Sequence, residues 1–120
     1  MKSIVKLSFI ISILTFNISC GGKDCNLIDG NFDNYKHAMQ VIKSSDFEFS
    51  DHCDTSKSSW IYSAEYYSCD GKTGYFIIET KSKNYIHSEV PIEMWYEFKN
   101  ADSFGKYYNR RIKGRFRLTL

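Results

Sequence analysis

The sequence predicts an α+β fold, a small antiparallel β-meander packed by one or two C-terminal helices and preceded by a helix and strand that form an N-terminal extension. Three observations predict it. Runs rich in aromatic and β-branched residues at 60–67, 75–80 and 85–88 are joined by connections too short for a crossover. The chain's one proline, Pro91, follows the third run and precedes an apolar stripe at helical spacing. The nine tyrosines, the most unusual part of the composition, suit a small sheet with one covered face, which needs large side chains with a polar end.

Residues 1–19 read as a bacterial lipoprotein signal. Lys2 and Lys6 form a basic start, residues 7–16 are apolar, and Ile18-Ser19-Cys20 ends the stretch with a small residue before a cysteine. Cleavage before Cys20 and acylation of its thiol would hold the mature chain to a membrane by its N-terminus, in the cell envelope and outside the cytoplasm. Gly21-Gly22-Lys23-Asp24 then reads as a tether. A membrane-spanning helix fits less well, because it needs about 20 apolar residues and residues 4–18 include Lys6, Ser8, Ser12 and Asn17. An ordinary secretory signal is the second reading, since Asn17 stands where a lipidated cysteine usually has an aliphatic residue three positions before it.

Residues 20–58 are expected to be the tether and the helix–strand extension. Asn31 or Asp33 can cap a helix whose apolar positions Tyr35, Ala38, Met39 and Ile42 follow helical spacing. Phe47 and Phe49 alternate with Glu48 and Ser50, the pattern of a strand with one buried face. Residues 51–58 are polar and read as a turn-rich separator. The extension either completes the core of the following domain or forms a contact element of its own.

Residues 59–117 are expected to be one domain. In its first strand Trp60, Tyr62, Ala64 and Tyr66 fall on one face and Ile61, Ser63, Glu65 and Tyr67 on the other. Residues 69–74 form a turn by composition and residues 81–84 form the next. Pro91 suits the first turn of a helix, and Met94, Trp95 and Phe98 mark the stripe that lies on the sheet. Ser103 can cap a second short helix with Phe104, Tyr108 and Ile112 on one face and Lys106, Asn109, Arg110 and Lys113 directed to solvent.

Loss of the signal leaves about 100 residues, enough for one domain with a modest core, and equal numbers of basic and acidic side chains. Their distribution is uneven. Residues 21–58 carry four lysines against seven acids, whereas residues 104–120 carry Lys106, Arg110, Arg111, Lys113, Arg115 and Arg117 and no acid. Such a run is either a solvated face or a surface for an anion.

With Cys20 acylated, Cys25, Cys53 and Cys69 remain, and an export compartment favours one disulfide among them. Cys53 and Cys69 are separated by a turn and an extended strand. Eight strand residues span about 26 Å, against a Cα separation of about 4.4–6.8 Å in a disulfide. Cys25, on the lead-in, reaches either partner, and the expected pair is Cys25 with Cys69.

No metal, cofactor or catalytic constellation is expected. His52, Cys53, Cys69 and His87 are zinc-compatible residue types but lack paired spacing such as Cys-x-x-Cys. His52 and Cys53, as strand neighbours, point to opposite faces and make no nucleophile–base pair. Glu93 and Glu97 lie one helical turn apart on a surface where their expected role is solubility.

Ser59-Trp60-Ile61, Tyr75-Phe76-Ile77-Ile78, Tyr85-Ile86-His87, Val90-Pro91, the run Ala101-Asp102-Ser103-Phe104-Gly105-Lys106-Tyr107-Tyr108-Asn109, and Ile112-Lys113 occur in that order. Together they resemble the KTSC domain, a small family named from the C-terminus of some lysyl-tRNA synthetases and also found as a free-standing bacterial domain. The resemblance runs from Ser59 to Phe116. The family has no established activity, and its attachment to a synthetase implies RNA binding. Its Tyr-x-Tyr motif falls on Tyr85-Ile86-His87, so histidine replaces the second tyrosine.

Nucleic-acid affinity comes largely from cationic contacts to phosphates, with stacking of unpaired bases on exposed aromatics. The mature chain's neutrality and its expected location both disfavour RNA as the partner. The leading expectation is a non-enzymatic envelope lipoprotein whose domain is a binding or accessory module for an envelope protein or glycan. The alternative is nucleic-acid binding through the same surface. That surface combines Tyr85 and His87 with Lys106, Tyr107, Asn109, Arg110, Arg111 and Lys113.

Overall fold

The computed structural model describes residues 22–118 and 120. The signal and Cys20 lie outside the described residues. After a short turn at Cys25–Leu27, the elements are α1 (Tyr35–Ser44), β1 (Phe49–Cys53), β2 (Ile61–Ser68), β3 (Thr73–Thr80), β4 (Asn84–Pro91), α2 (Ile92–Lys99) and α3 (Phe104–Tyr107), with α3 running into a π-helical turn at Tyr108–Ile112. The strands form one antiparallel sheet in the order β1-β2-β3-β4. The fold is α+β. Among the described residues no helix is long and apolar enough to cross a membrane.

Both faces of the sheet are covered, not one as the sequence predicts. On the first face Ala64, Tyr66, Phe76, Ile78 and Val90 pack with Trp95 and Phe98 of α2, and with Phe104, Tyr107, Tyr108 and Ile112 of the last helical segment. On the second face Ile77 and Ile86 pack with Ala38 and Ile42 of α1, and with Phe32 and Leu118. Successive strand residues point to opposite faces, so Phe76-Ile77-Ile78 feeds both cores, and each of the three is fully buried.

The extension is therefore part of the domain. β1 adds an edge strand, pairing Phe49 with Ser68 and Cys53 with Ala64, and it takes in Asp51-His52-Cys53, which composition alone assigns to the polar separator. Asp51 reaches across to α2, where its Oδ2 accepts from the Trp95 indole at 2.8 Å and from Lys99 Nζ at 2.6 Å. Burial raises the Asp51 carboxyl, but the bonds from Lys99 and Trp95 outweigh it and hold the group below the usual carboxylate range. Trp95 is fully buried, and its N–H needs such an acceptor.

Local details differ from the sequence pattern for identifiable reasons. The α1 N-cap is Asn34, whose side chain accepts from the His37 N–H at 2.9 Å; Asn31 and Asp33 lie upstream of it. Phe47 packs against the second core and Phe49 against the first, because β1 begins only at Phe49 and the chain bends between them. In β2, Tyr62 is an extra residue, since Ile61 pairs with Thr80 and Ser63 with the adjacent Glu79. This bulge breaks the period of two. It puts Ile61 in the first core with Ala64 and Tyr66 and leaves Tyr62 outside.

Pro91 is the N-cap of α2, and the Ile92 N–H donates to the Lys72 carbonyl at 2.8 Å. The disulfide joins Cys25 to Cys69 with Cα atoms 5.9 Å apart, and Cys53 is a free, buried thiol. β4 is an edge strand, and the C-terminal segment folds over it. Phe116 packs on the first core and Leu118 on the second, covering an edge that would otherwise offer unpaired backbone to other chains.

Candidate functional site

Lys106, Asn109, Arg110, Arg111 and Lys113 are exposed along α3 and the π-helical turn, and Arg115 and Arg117 continue the cationic ridge into the tail. The ridge follows from how α3 starts. Ser103 Oγ accepts from the Lys106 N–H at 3.2 Å, fixing the register that turns Phe104, Tyr107, Tyr108 and Ile112 into the first core and the cations outward. The π-helical turn closes with the Lys113 N–H donating to the Tyr108 carbonyl at 2.9 Å.

Three residues of the expected surface are placed differently. Tyr107 is only 5% exposed and His87 only 7%, so neither offers a ring for stacking. Tyr85 is half-buried against the first core, with the Lys83 ammonium 5.3 Å from its ring centroid. The Tyr107 hydroxyl donates to Glu97 Oε1 at 2.6 Å, and Arg111 lies 3.7 Å from the same oxygen. Burial, with the Glu97 bond, pushes the Tyr107 phenol up to about 12. Glu97 thus has a positioning contact as well as solubility, because Tyr107 turns inward beside it.

His87 is the centre of a clamp. Its Nδ1 lies 2.6 Å from the Phe116 carbonyl oxygen and its Nε2 2.8 Å from the Tyr108 hydroxyl. A carbonyl only accepts, so Nδ1 carries the hydrogen and Nε2 accepts from Tyr108. The pair of bonds ties β4, the π-helical turn and the tail together. Burial pushes the imidazole below its ordinary value, partly offset by the Phe116 bond, and burial also raises the Tyr108 phenol. Both groups are neutral near pH 7.

This neutrality predicts an acid sensitivity. A histidine titrating lower in the folded chain is protonated first in the unfolded one, so its contribution to stability is lost as pH falls below about 6.5. The expected slope is at most about 1.4 kcal/mol per pH unit, the value for one proton. Urea unfolding at a series of pH values, compared with His87→Gln, checks it, since the variant should lose that part of the slope.

The KTSC-like motif pieces meet at the start of α3. Gly105 packs against Trp60 so closely that an added Cβ would lie 2.6 Å from the indole Nε1. The Lys57 ammonium sits 4.8 Å from the Phe104 ring centroid. The concavity between residues 57–60 and 102–105 measures about 210 Å³, below the usual small-molecule range of about 300–1,000 Å³.

The zinc-compatible residues do not converge. His52 is exposed, Cys53 is buried, Cys69 is in the disulfide and His87 is in the clamp. Burial raises the Cys53 thiol, which keeps it protonated and weakly nucleophilic. Among the described residues, one group of His, Cys and acidic side chains lies at chelating distance, Asp24 with Cys25 and Cys69, and its two sulfurs are bonded to each other.

Arg115 and Arg117 were readable as part of the basic run but not as neighbours of the β4 edge. Their place depends on the His87 clamp and on Ser88 Oγ, which donates to the Arg117 carbonyl at 3.3 Å.

Comparison with known proteins adds one match. The family model for the KTSC domain covers residues 57–116, half of the chain, and includes β2 to β4, α2, α3 and the π-helical turn. No curated protein and no solved structure matches the chain. The KTSC model takes in the Trp60–Gly105 contact, the His87 clamp and most of the cationic ridge, and the chain belongs to the KTSC domain family.

Proposed function

We propose that the protein is a non-enzymatic lipoprotein of the bacterial envelope, anchored through Cys20, whose KTSC domain is a binding module with the ridge at 106–117 as its contact surface. The partner class is an anionic envelope glycan, or a protein surface carrying similar charge. The observation that carries the reading is the division of the last helical segment. Its cations are exposed and its aromatic rings are buried, so the ridge offers charge without a stacking platform. A long-range electrostatic contact needs only the charge.

Two further features support this reading. The Cys25–Cys69 disulfide suits an oxidising compartment. His87, Tyr107 and Tyr108, whose titration burial shifts, are engaged in bonds that hold the tail and helix in place.

RNA binding, the alternative, shares the cations but needs rings for the bases. Fluorescence anisotropy with labelled polygalacturonate and with oligouridine of matched charge tests the choice. Polygalacturonate should bind with an affinity that falls steeply with salt, and Arg110→Glu combined with Lys113→Glu should weaken it by at least about tenfold. Clear preference for oligouridine, or affinity indifferent to the double variant, would contradict the proposal.

A further inference from the structure

The second face of the sheet carries a cleft of about 560 Å³, within the range of small-molecule sites. One wall is the lead-in at residues 25–32, which lies outside the match to the KTSC family. The other wall is formed by the ends of β2, β3 and β4. Residues from both halves are therefore needed to make it.

The inner side of the cleft is aromatic. Tyr75 stands in the middle, with ring centroids 6.3 Å from Phe32 and 6.2 Å from Phe47, and Phe47 lies 5.3 Å from Tyr67. The acidic lining residues are Asp29, Asp70 and Glu89, and none of the described lining residues is Lys, Arg or His. The concavity thus has carboxylates and aromatic rings alone as its charged and π-bearing groups among the described lining residues.

Glu89 is placed there by a bulge. Gly74 pairs with Val90 and Phe76 with His87, so Tyr75 faces two residues, Ser88 and Glu89, and Glu89 takes a left-handed φ of 57°. Bulges re-aim side chains in this way. Asp29 and Glu89 line the cleft with Tyr75, and burial, followed by their charges, raises the Tyr75 phenol. Asp70 accepts from the Lys72 and Thr73 N–H groups at 2.8 and 3.1 Å, and these bonds keep its carboxyl below the usual range.

We propose that this cleft binds a small organic ammonium ion. Aromatic faces attract a weakly hydrated cation within about 6 Å, and the three carboxylates supply net charge of the opposite sign. A hard metal ion fits less well, because its oxygen ligands must converge within bonding distance. The rim carboxylates form no such group.

Choline is the probe, and its uncharged carbon isostere dimethylbutanol is the control. The oxidised full chain is titrated with each while backbone amide shifts are followed by NMR. Choline should give saturable shifts centred on Phe32, Phe47, Tyr75 and Glu89, and the isostere should bind at least about tenfold more weakly. Glu89→Gln and, on the exposed lead-in, Asp29→Asn should each weaken choline by about threefold or more with the remaining spectrum unchanged. Arg110→Glu should leave binding as it is. Absence of saturable shifts in the cleft, equal binding of the isostere, or choline binding insensitive to both carboxylate variants would overturn the proposal.

Discussion

Replacing Cys69 with serine is expected to destabilise the oxidised protein by about 4 kcal/mol. The Cys25–Cys69 bond spans 44 positions, and a closed loop of that length restricts the unfolded chain by about this amount in the chain-entropy account. The folded state depends on the same closure. The lead-in is otherwise held by few backbone bonds, among them the Cys25 N–H to the Asp46 carbonyl at 3.1 Å and the Asp46 N–H to the Lys23 carbonyl at 2.8 Å. Denaturant unfolding under oxidising conditions should show the loss. Cys25→Ser combined with Cys69→Ser should cost no more than Cys69→Ser alone, because each removes the same bond. An unchanged midpoint in the single variant would show that the bond does not clamp the lead-in.

Gly105→Val is expected to cost roughly 2–3 kcal/mol, the upper part of the range for overpacking a filled site. The added Cβ meets the Trp60 ring at 2.6 Å from Nε1 and 3.0 Å from both Cε2 and Cζ2. Trp60 can move away only by giving up its edge contact with Tyr108, now 6.2 Å between centroids. A double-mutant cycle with Trp60→Leu isolates the cause. In that background the Gly105→Val penalty should shrink by more than half. An undiminished penalty would mean that backbone preference, not the indole, requires glycine here.

Much of the architecture was legible in the sequence because it rests on local rules. The short connections between aromatic runs dictate antiparallel neighbours, Pro91 marks the β4–α2 junction, and Ser103 caps α3. The length of a strand excludes a Cys53–Cys69 bond and leaves Cys25 to pair with either, and the fold closes the expected pair, Cys25 with Cys69. The two bulges were not legible. An extra residue at Tyr62 or Glu89 breaks a period of two without leaving a compositional mark, and each changes which face the neighbouring side chains occupy.

The candidate site was legible only in its charge. Lys106, Arg110 and Lys113 follow from helical spacing after Ser103, and Arg111 from the basic run. The His87 clamp was not legible because its bonding partners, Tyr108 and Phe116, are 21 and 29 positions away, and no local pattern reveals that both return to it. Tyr107 was misplaced for a similar reason, since its acceptor Glu97 belongs to the preceding helix. The covered second face escaped detection because α1 and Leu118 approach Ile77 and Ile86 from opposite ends of the chain.

The proposed address is tested most directly by the intact mass of the protein purified from its own host's membranes, with and without reduction and alkylation. The expected result is a chain that begins at Cys20, carries acyl chains and contains one disulfide. A soluble, unprocessed chain with all four cysteines alkylated before reduction would contradict it and return the cationic ridge to the RNA reading.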